Sequence, residues 1–166
     1  MKTTIVFLSA LFLCVICFAQ DPKKEDEEKD QKSLKDSEIP APMKTAFAKA
    51  FPKATGVKWS KESAAEFEAE FKVDGKEMAS NFDQSGKWIV TETEIKSSEL
   101  PAAVTASLGK ELPGYKIDES EKVETADKGT YYEVVMKKGK SIMEVEISGD
   151  GKVMKKEEKK KTDDKD

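Results

Sequence analysis

Two different periods of hydrophobic and polar residues follow one another along this chain. Residues 39–52 carry apolar side chains three and four positions apart, which predicts an amphipathic helix. Residues 56–95 instead alternate apolar and polar positions, and Asp74-Gly75 within them is a hairpin turn signal. The pattern therefore predicts one helix followed by four antiparallel strands.

The same pattern then occurs a second time. IPAPMKTAFAKAFP (39–52) matches LPAAVTASLGKELP (100–113) at an offset of 61 residues, and EFEAEFKVDGK (66–76) matches YYEVVMKKGK (131–140). Such self-similarity indicates a tandem repeat whose units stack to bury a continuous core. We therefore predict an α+β fold in which each repeat contributes a helix and four strands. The repeats form one antiparallel sheet of roughly eight strands, with both helices on one face and the other face open to solvent.

The chain begins with the features of a secretory signal peptide. Lys2 precedes an apolar run at 5–18, and the segment ends at Ala19, so that Gln20 is the predicted first residue of the mature protein. We therefore predict that 1–19 is removed and that the protein is periplasmic or secreted. No transmembrane segment is expected in the mature chain.

Two further segments have the composition of disordered tails. Residues 20–38 and 155–166 are almost entirely charged and polar, and such runs cannot bury enough apolar surface to offset the entropy of ordering. We predict a charged disordered tail in each place. The folded part then consists of a first repeat at 39–98 and a second repeat at 99–154.

The composition excludes several kinds of chemistry. The chain contains no histidine, and both of its cysteines lie in the predicted signal peptide, which removes histidine-based triads, thiol nucleophiles and zinc sites built on imidazole or thiolate. Every basic side chain is a lysine and the formal net charge is −4, which argues against a nucleic-acid partner. We predict no enzymatic activity, no catalytic residue, no metal site and no cofactor.

Several ordered motifs in the two predicted repeats resemble those of one protein family. They are Val57-x-Trp59, Glu68-Ala69-x-Phe71, Gly75-Lys76-Glu77, Phe82-Asp83, Gly86-Lys87-Trp88 and Leu100-Pro101. With these motifs the chain resembles the PepSY-like proteins, also described as beta-lactamase-inhibitor-like, which are small secreted proteins of Bacteroidetes-type bacteria. The resemblance covers about 39–154.

This resemblance implies the tandem α/β fold of the beta-lactamase inhibitor protein, in which the open face of the sheet binds an enzyme. The present chain differs from that inhibitor because its mature part has no cysteine to form a disulfide. No inhibitory loop can be matched residue by residue either. The resemblance therefore carries over the fold but not the target.

The open face of the predicted sheet is the candidate site, because charged residues alternate there with the apolar residues of the core. Such a face either binds a partner or only keeps the sheet solvated. Tyr131 aligns with Glu66 of the first repeat, which predicts an outward tyrosine among charges. The candidate partner-binding residues are Glu66, Glu68, Glu70, Lys72, Tyr131, Glu133, Lys137, Glu144 and Glu146.

Two tryptophans are lower-weight candidates for the same face. Trp59 and Trp88 either pack where the strands meet the helices or form an adhesive patch on the open face, since tryptophan is frequent at binding hot spots. Trp88 corresponds to Val153 in the second repeat, and this match of two apolar residues favours the core position.

These observations favour a secreted or periplasmic, non-enzymatic protein-binding module of the inhibitor-like kind, which uses the open face of its sheet and has an unidentified protein partner. The alternative is an envelope-associated structural or stress-related protein whose charged tails make weak contacts. The second alternative is a sensor of a small ligand or of calcium, although the acidic turns at 83–86 and 148–151 lack the full ligand series of a calcium loop. A monomer is favoured.

Overall fold

The computed structural model describes residues 33–159. The predicted signal peptide at 1–19 lies outside the described residues, as do 20–32 of the first predicted tail and 160–166 of the second. Within 33–159, two α-helices and eight β-strands follow one another in the predicted order. Their bounds are α1 Ala41–Ala50, β1 Thr55–Lys61, β2 Glu66–Val73, β3 Lys76–Asp83, β4 Trp88–Glu94, α2 Ala102–Glu111, β5 Lys116–Thr125, β6 Gly129–Lys138, β7 Ser141–Ser148 and β8 Val153–Lys159.

The eight strands form a single sheet in which each strand pairs with the strand that follows it in the chain. Every pairing is antiparallel. Asp74 and Gly75 both have positive φ, 51° and 83°, as the two-residue turn between β2 and β3 requires. The pairings confirm the prediction of an α+β fold with one eight-stranded antiparallel sheet.

The first helix packs its apolar stripe against the first half of the sheet. Met43 and Phe47 are buried in a cluster with Phe71 of β2 and Phe82 of β3. The ring centroids of Phe47 and Phe71 lie 4.9 Å apart with an interplanar angle of 87°, which is the edge-to-face arrangement that aromatic rings favour. The aromatic side chains therefore hold α1 to alternate residues of β2 and β3.

The second helix makes the equivalent contacts with the second half. Val104 and Leu108 are buried in a cluster with Val134 of β6 and Val145 of β7. Cross-strand registers place the residues of both clusters on the same face of the sheet. Both helices therefore cover one face, as predicted, and the opposite face is called the open face below.

Each repeat also contains a short 3-10 helix before its α-helix, and the first of them lies in the segment predicted to be a disordered tail. The backbone N–H of Lys35 donates to Glu38 Oε2 at 2.7 Å across Asp36–Glu38. The backbone N–H of Lys96 donates to Glu99 Oε2 at 3.0 Å across Ser97–Glu99. Both pairs are related by the same offset of 61 residues as the helices.

The boundary predicted at residue 38 is therefore corrected to about residue 34. The N–H of Leu34 donates to the carbonyl of Trp59 at 2.7 Å, and the N–H of Ile95 donates to that of Ser120 at 3.0 Å, again at an offset of 61. Leu34 also packs against the first core cluster. A single apolar residue among charges gave no periodic signal, so the sequence pattern missed this contact.

The second predicted tail also begins too early. Residues 155–159, assigned to the tail, lie in β8, and Lys159 pairs with Ile142 at the end of the ladder with β7. These residues carry no apolar side chain that would predict a strand. Ion pairs to β7 take the place of apolar contacts, since Lys159 Nζ lies 3.1 Å from Glu144 Oε2.

In each repeat, one hairpin glycine contacts the first turn of the α-helix. A Cβ at Gly86 would lie 2.7 Å from the carbonyl oxygen of Pro42, and a Cβ at Gly151 would lie 2.6 Å from that of Ala103. Such distances are shorter than real Cβ contacts, so a side chain at either position would force the hairpin away from the helix. The β3–β4 and β7–β8 turns therefore set how closely each helix approaches the sheet.

We expect Gly86→Ala to destabilise the protein more than Gly75→Ala. Both glycines have nearly the same φ, 85° and 83°, so both substitutions carry the same backbone strain of about 1–2 kcal/mol. Only Gly86 has a backbone oxygen in the way, because nothing lies within 4 Å of a Cβ at Gly75. The clash adds about 1–3 kcal/mol to the loss of unfolding free energy, measured by urea titration. Equal losses for the two variants would contradict the close-approach role.

Candidate functional site

The open face carries all nine residues that the sequence analysis selected. Cross-strand pairs on this face include Glu70 with Ala79, Glu133 with Glu146, and Tyr131 with Ser148. Lys72 and Lys137 are exposed and already paired, since Lys72 Nζ lies 2.6 Å from Glu77 Oε1 and Lys137 Nζ lies 2.5 Å from Asp118 Oδ2. The nine residues that lie on this face are Glu66, Glu68, Glu70, Lys72, Tyr131, Glu133, Lys137, Glu144 and Glu146.

The two tryptophans lie on the helix side of the sheet and not on the open face. Trp59 is buried in the first core cluster, where its ring meets that of Phe47 edge-on at 5.3 Å. Trp88 packs against the same cluster, and its Nε1–H donates to Thr91 Oγ1 at 2.8 Å. The core interpretation of both residues agrees with the structure, and neither contributes to a patch on the open face.

The open face is less solvated than the alternating pattern predicted. Glu68, Glu133, Glu144 and Glu146 are buried, although no helix among residues 33–159 covers them. Tyr131, predicted to point outward, is only 7 % exposed, and its hydroxyl donates to Glu133 Oε1 at 3.3 Å. Neighbouring side chains on the same face therefore remove these groups from water, which a single strand considered alone cannot reveal.

Four glutamates on successive strands face one another directly across the centre of the open face. Glu94 pairs with Glu121, Glu121 with Glu133, and Glu133 with Glu146. We call these four residues the acidic row. Like charges in directly opposed positions destabilise a sheet, so this arrangement works against the stability of the fold.

Glu92 lies beside the acidic row on β4 and is its most strongly perturbed neighbour. Burial is the main cause that raises the pKa of Glu92 to about 8, and the carboxylates of Glu121 and Glu133 contribute to this shift. The other charges that act on it are Glu68 of β2 and Glu62, which lies between β1 and β2. Glu92 is thus faced by carboxyl groups from several elements.

Two members of the row show the same effect. Burial is the main cause that raises the pKa of Glu121 to about 7, and the carboxylate of Glu133 makes the next largest contribution. Burial also raises the pKa of Glu133 to about 7, with contributions from Glu144 and Glu146. The pKa of the Tyr131 hydroxyl is raised as well, first by burial and then by the Glu133 carboxylate. The open face therefore holds carboxyl groups that exchange protons near neutral pH.

The two ends of the acidic surface differ in how their charges are paired. On β7, Glu146 Oε1 lies 3.9 Å from Lys155 Nζ, and Glu144 Oε2 lies 3.1 Å from Lys159 Nζ. On β4 and β5, no hydrogen bond or ion pair within residues 33–159 reaches the carboxyl of Glu92 or Glu121. Within the described residues, the chain thus pairs the glutamates of β7 with its own lysines and leaves Glu92 and Glu121 without such an ion pair.

The acidic turns considered for calcium have a local explanation. Asp83 Oδ1 accepts hydrogen bonds from the backbone N–H groups of Ser85 at 2.8 Å and Lys87 at 3.0 Å. Ser148 Oγ similarly donates to Asp150 Oδ1 in the equivalent turn. No group of three or more potential ligands for a metal ion occurs within the part of the chain that the structure describes. Both carboxylates thus stabilise hairpin turns.

Comparison with known proteins places this architecture in a family. Residues 65–155 match the model of the family described as "Putative beta-lactamase-inhibitor-like, PepSY-like". The chain belongs to the PepSY-like family. No match was found among curated proteins.

Solved structures of similar proteins share this PepSY-like fold. A BLIP-like protein from Bacteroides fragilis is 25% identical, with 76% of this chain and 92% of that chain covered and a TM-score of 0.66. A protein from Bacteroides eggerthii, whose structure is described as that of "putative periplasmic proteins", is 20% identical, with 72% of this chain and 88% of that chain covered and a TM-score of 0.68. Within residues 33–159 of the present chain, no helix is long and apolar enough to span a membrane.

The most perturbed groups of this PepSY-like chain are ones that the sequence analysis did not select. Glu92 and Glu121 lie in the stretches TETE (91–94) and ESEKVET (119–125), where glutamate alternates with threonine, serine or valine. The alternation was visible, but β4 is the last strand of the first repeat and β5 is the first strand of the second. Their pairing, and hence the approach of Glu94 to Glu121, arises only in the folded sheet.

A cleft of 430 Å³ adjoins the β4 end of the acidic row, where the two repeats meet. Glu94 belongs both to the row and to the lining of the cleft. The cleft also contains Lys76, but Lys76 Nζ lies 2.6 Å from Glu99 Oε1, so this lysine is already paired. Lys96 is a second lysine of the lining, and the further acidic side chains there are Glu77, Asp118 and Glu119.

We expect this PepSY-like protein to lose stability as the pH rises from about 5 to about 8.5. The unfolded chain has ordinary glutamate pKa values of about 4.3, whereas Glu92, Glu121 and Glu133 titrate at about 8, 7 and 7 when folded. The folded state therefore binds more protons in this window, and deprotonation favours unfolding. This contribution is complete below about pH 4.3 and is lost as the pH passes through 7 to 8. Thermal unfolding at both ends of the window measures the effect.

Glu92→Gln should reduce this pH dependence. The substitution removes a carboxylate that is buried without a cation, so the free energy of unfolding at pH 8.5 should rise by about 2 kcal/mol, with little change at pH 5.5. Glu66→Gln, on the same face at the far end of β2, is the matched control and should leave the pH dependence unaltered. The interpretation fails if the Glu92 variant retains the full pH dependence of the wild type.

Proposed function

We propose that this protein is a secreted or periplasmic, non-enzymatic protein-binding module of the inhibitor-like kind, which uses the open face of its sheet. The observation that carries the proposal is the uncovered acidic row. Glu92 is only 8 % exposed and Glu133 is also 8 % exposed, yet no element within residues 33–159 lies over them. Poorly solvated carboxyl groups with raised pKa values, on a face that no described element covers, are candidates for contact with a partner.

The family supports a binding role over catalysis. The matching family is described as beta-lactamase-inhibitor-like, and one similar structure is that of a BLIP-like protein. The description of a further structural neighbour as periplasmic is consistent with the signal peptide predicted at 1–19. Function by contact, in which side chains of one sheet face meet a partner, requires no nucleophile and no cofactor.

The strand edges are less suited to this role than the open face. β8 is the last strand of the sheet, and it carries Lys155, Lys156 and Lys159, which discourage another strand from adding to it. β1, at the other edge, already accepts a backbone hydrogen bond from Leu34. Side-chain contact across the open face is therefore favoured over extension of the sheet.

The proposal predicts that removing charge from the open face abolishes partner binding. The mature wild-type protein is immobilised, exposed to envelope extract of its own organism, and the retained protein is identified and purified. The affinity of this partner is then measured for the triple variant Glu92→Gln, Glu121→Gln and Glu133→Gln. We expect at least a tenfold loss, about 1.4 kcal/mol, because the carboxylates form the centre of the contact.

The matched control removes three carboxylates from elsewhere on the molecule. Glu111 lies in α2, whereas Glu124 and Glu158 lie on the helix side of the sheet. Glu111→Gln, Glu124→Gln and Glu158→Gln change the net charge equally and should keep the affinity within twofold. Equal loss in both triple variants, or no loss in the first, would overturn the assignment to the open face. If the immobilised wild type and both triple variants retain equally little protein from the envelope extract, the envelope-associated alternative is favoured.

A further inference from the structure

The acidic surface contains one position whose charge the molecule does not balance. Glu92 lies on the open face, and the residue is only 8 % exposed. No hydrogen bond or ion pair within residues 33–159 reaches its carboxyl, and the charges that act on it come from other glutamates. Ionising a poorly solvated carboxyl without a nearby cation is costly, and a cation brought by a ligand would favour the ionised form.

The opposite end of the surface indicates what kind of group is missing. Glu144 and Glu146 are buried to a similar degree, and each has a lysine of β8 beside it, at 3.1 Å and 3.9 Å. At this end the chain itself supplies primary ammonium groups on an adjacent strand. The β4–β6 end, with Glu92, Glu121 and Glu133, lacks an equivalent strand within the described residues.

The length of the row corresponds to that of a short extended peptide. Neighbouring strands lie about 4.8 Å apart, so the four strands from β4 to β7 place their glutamates along about 14 Å. About five residues of an extended chain cover this length, and alternate side chains of such a chain point to one side. At β4 the row continues into the cleft of 430 Å³, whose lining combines five acidic residues with Lys76 and Lys96.

Arginine fits this surface better than lysine. The guanidinium group is planar and donates in a fork, so one arginine can bridge carboxylates of two adjacent strands. It is also more weakly hydrated than an ammonium group, which lowers the cost of bringing it to a poorly solvated face. The chain contains no arginine, so it cannot supply this group from its own residues.

We propose that the acidic row and Glu92 bind an extended, arginine-containing segment of the partner protein, with its guanidinium groups against Glu92, Glu121 and Glu133. This inference rests on the proposed function, because it names the chemistry of the partner at the same open face. The raised pKa values of these carboxyls add a consequence, since a bound guanidinium favours the ionised form and binding near pH 7 releases protons. The groups that face Glu92 in this titration are Glu62, Glu68, Glu121, Glu133 and Tyr131.

Calorimetry on the mature protein tests the proposal. The probe is a blocked heptapeptide in which three arginines alternate with serines, at low salt and pH 8.5. We expect saturable binding, at least tenfold weaker binding at pH 5, and heats that depend on the ionisation enthalpy of the buffer near pH 7. The same peptide with glutamine in place of arginine should not bind. Equal binding of the two peptides would overturn the proposal.

Variants locate the contact. Glu92→Gln with Glu121→Gln should weaken peptide binding at least tenfold, whereas Glu111→Gln with Glu124→Gln, in α2 and on the helix side of β5, should change it less than twofold. Loss of binding in both variants to the same extent would show attraction to net charge only and would contradict a defined row. Calcium chloride and free arginine amide are titrated separately, and tighter binding of either than of the peptide would overturn the assignment to a protein segment.

The failure of this inference can be distinguished from that of the proposed function. If the purified partner requires Glu92, Glu121 and Glu133 for binding but the arginine peptide does not bind, the open face is a binding site. The proposal that an arginine-containing segment occupies it is then wrong. If the partner binds independently of these residues, the proposed function fails as well. Circular dichroism and thermal unfolding at pH 8.5 show that each glutamine variant is folded.

Discussion

The strands of this protein send alternate side chains to opposite faces of the sheet, and the helices cover only one of these faces. Because side chains alternate between the faces with a period of two residues, the core and the open face depend on each other. The register that buries Phe71 and Val134 also determines which residues point to the open face. A slip of one residue would expose the core, so the register is strongly specified. The alignment of Glu94, Glu121 and Glu133 follows from the packing of the helix side.

The two repeats keep the helix side alike and differ on the open face. On the helix side, Phe71 of β2 corresponds to Met136 of β6, and both are buried against a helix. On the open face, the positions equivalent to Glu144 and Glu146 of β7 are held by Ala79 and Asn81 of β3. These two carboxyl groups of β7 are therefore absent from β3, and a duplicated scaffold carries a surface that is not duplicated.

The acidic row lowers the stability of the fold at the face that is proposed to bind a partner. Aligned carboxyl groups that are partly removed from water repel one another and raise each other's pKa, which weakens the folded state as the pH rises through neutrality. The chain relieves this repulsion at Glu144 and Glu146 with lysines of β8 and leaves it in place at Glu92. Proteins depart from favourable local arrangements mainly at sites of function, and the departure here coincides with the uncovered face.

The sequence by itself determined the elements, their order and the sheet face of each predicted residue, because the helical stripe, the strand alternation and the offset of 61 residues are all periodic patterns. Only the tertiary structure decided the ends of the repeats, since Leu34 is held by one hydrogen bond to Trp59 and Lys159 by its pairing with β7. The burial of the open face was likewise hidden, because Glu94 and Glu121 belong to different repeats and become neighbours only when β4 pairs with β5. Charge and burial at a site depend on such contacts across strands, which a periodic pattern along one strand does not contain.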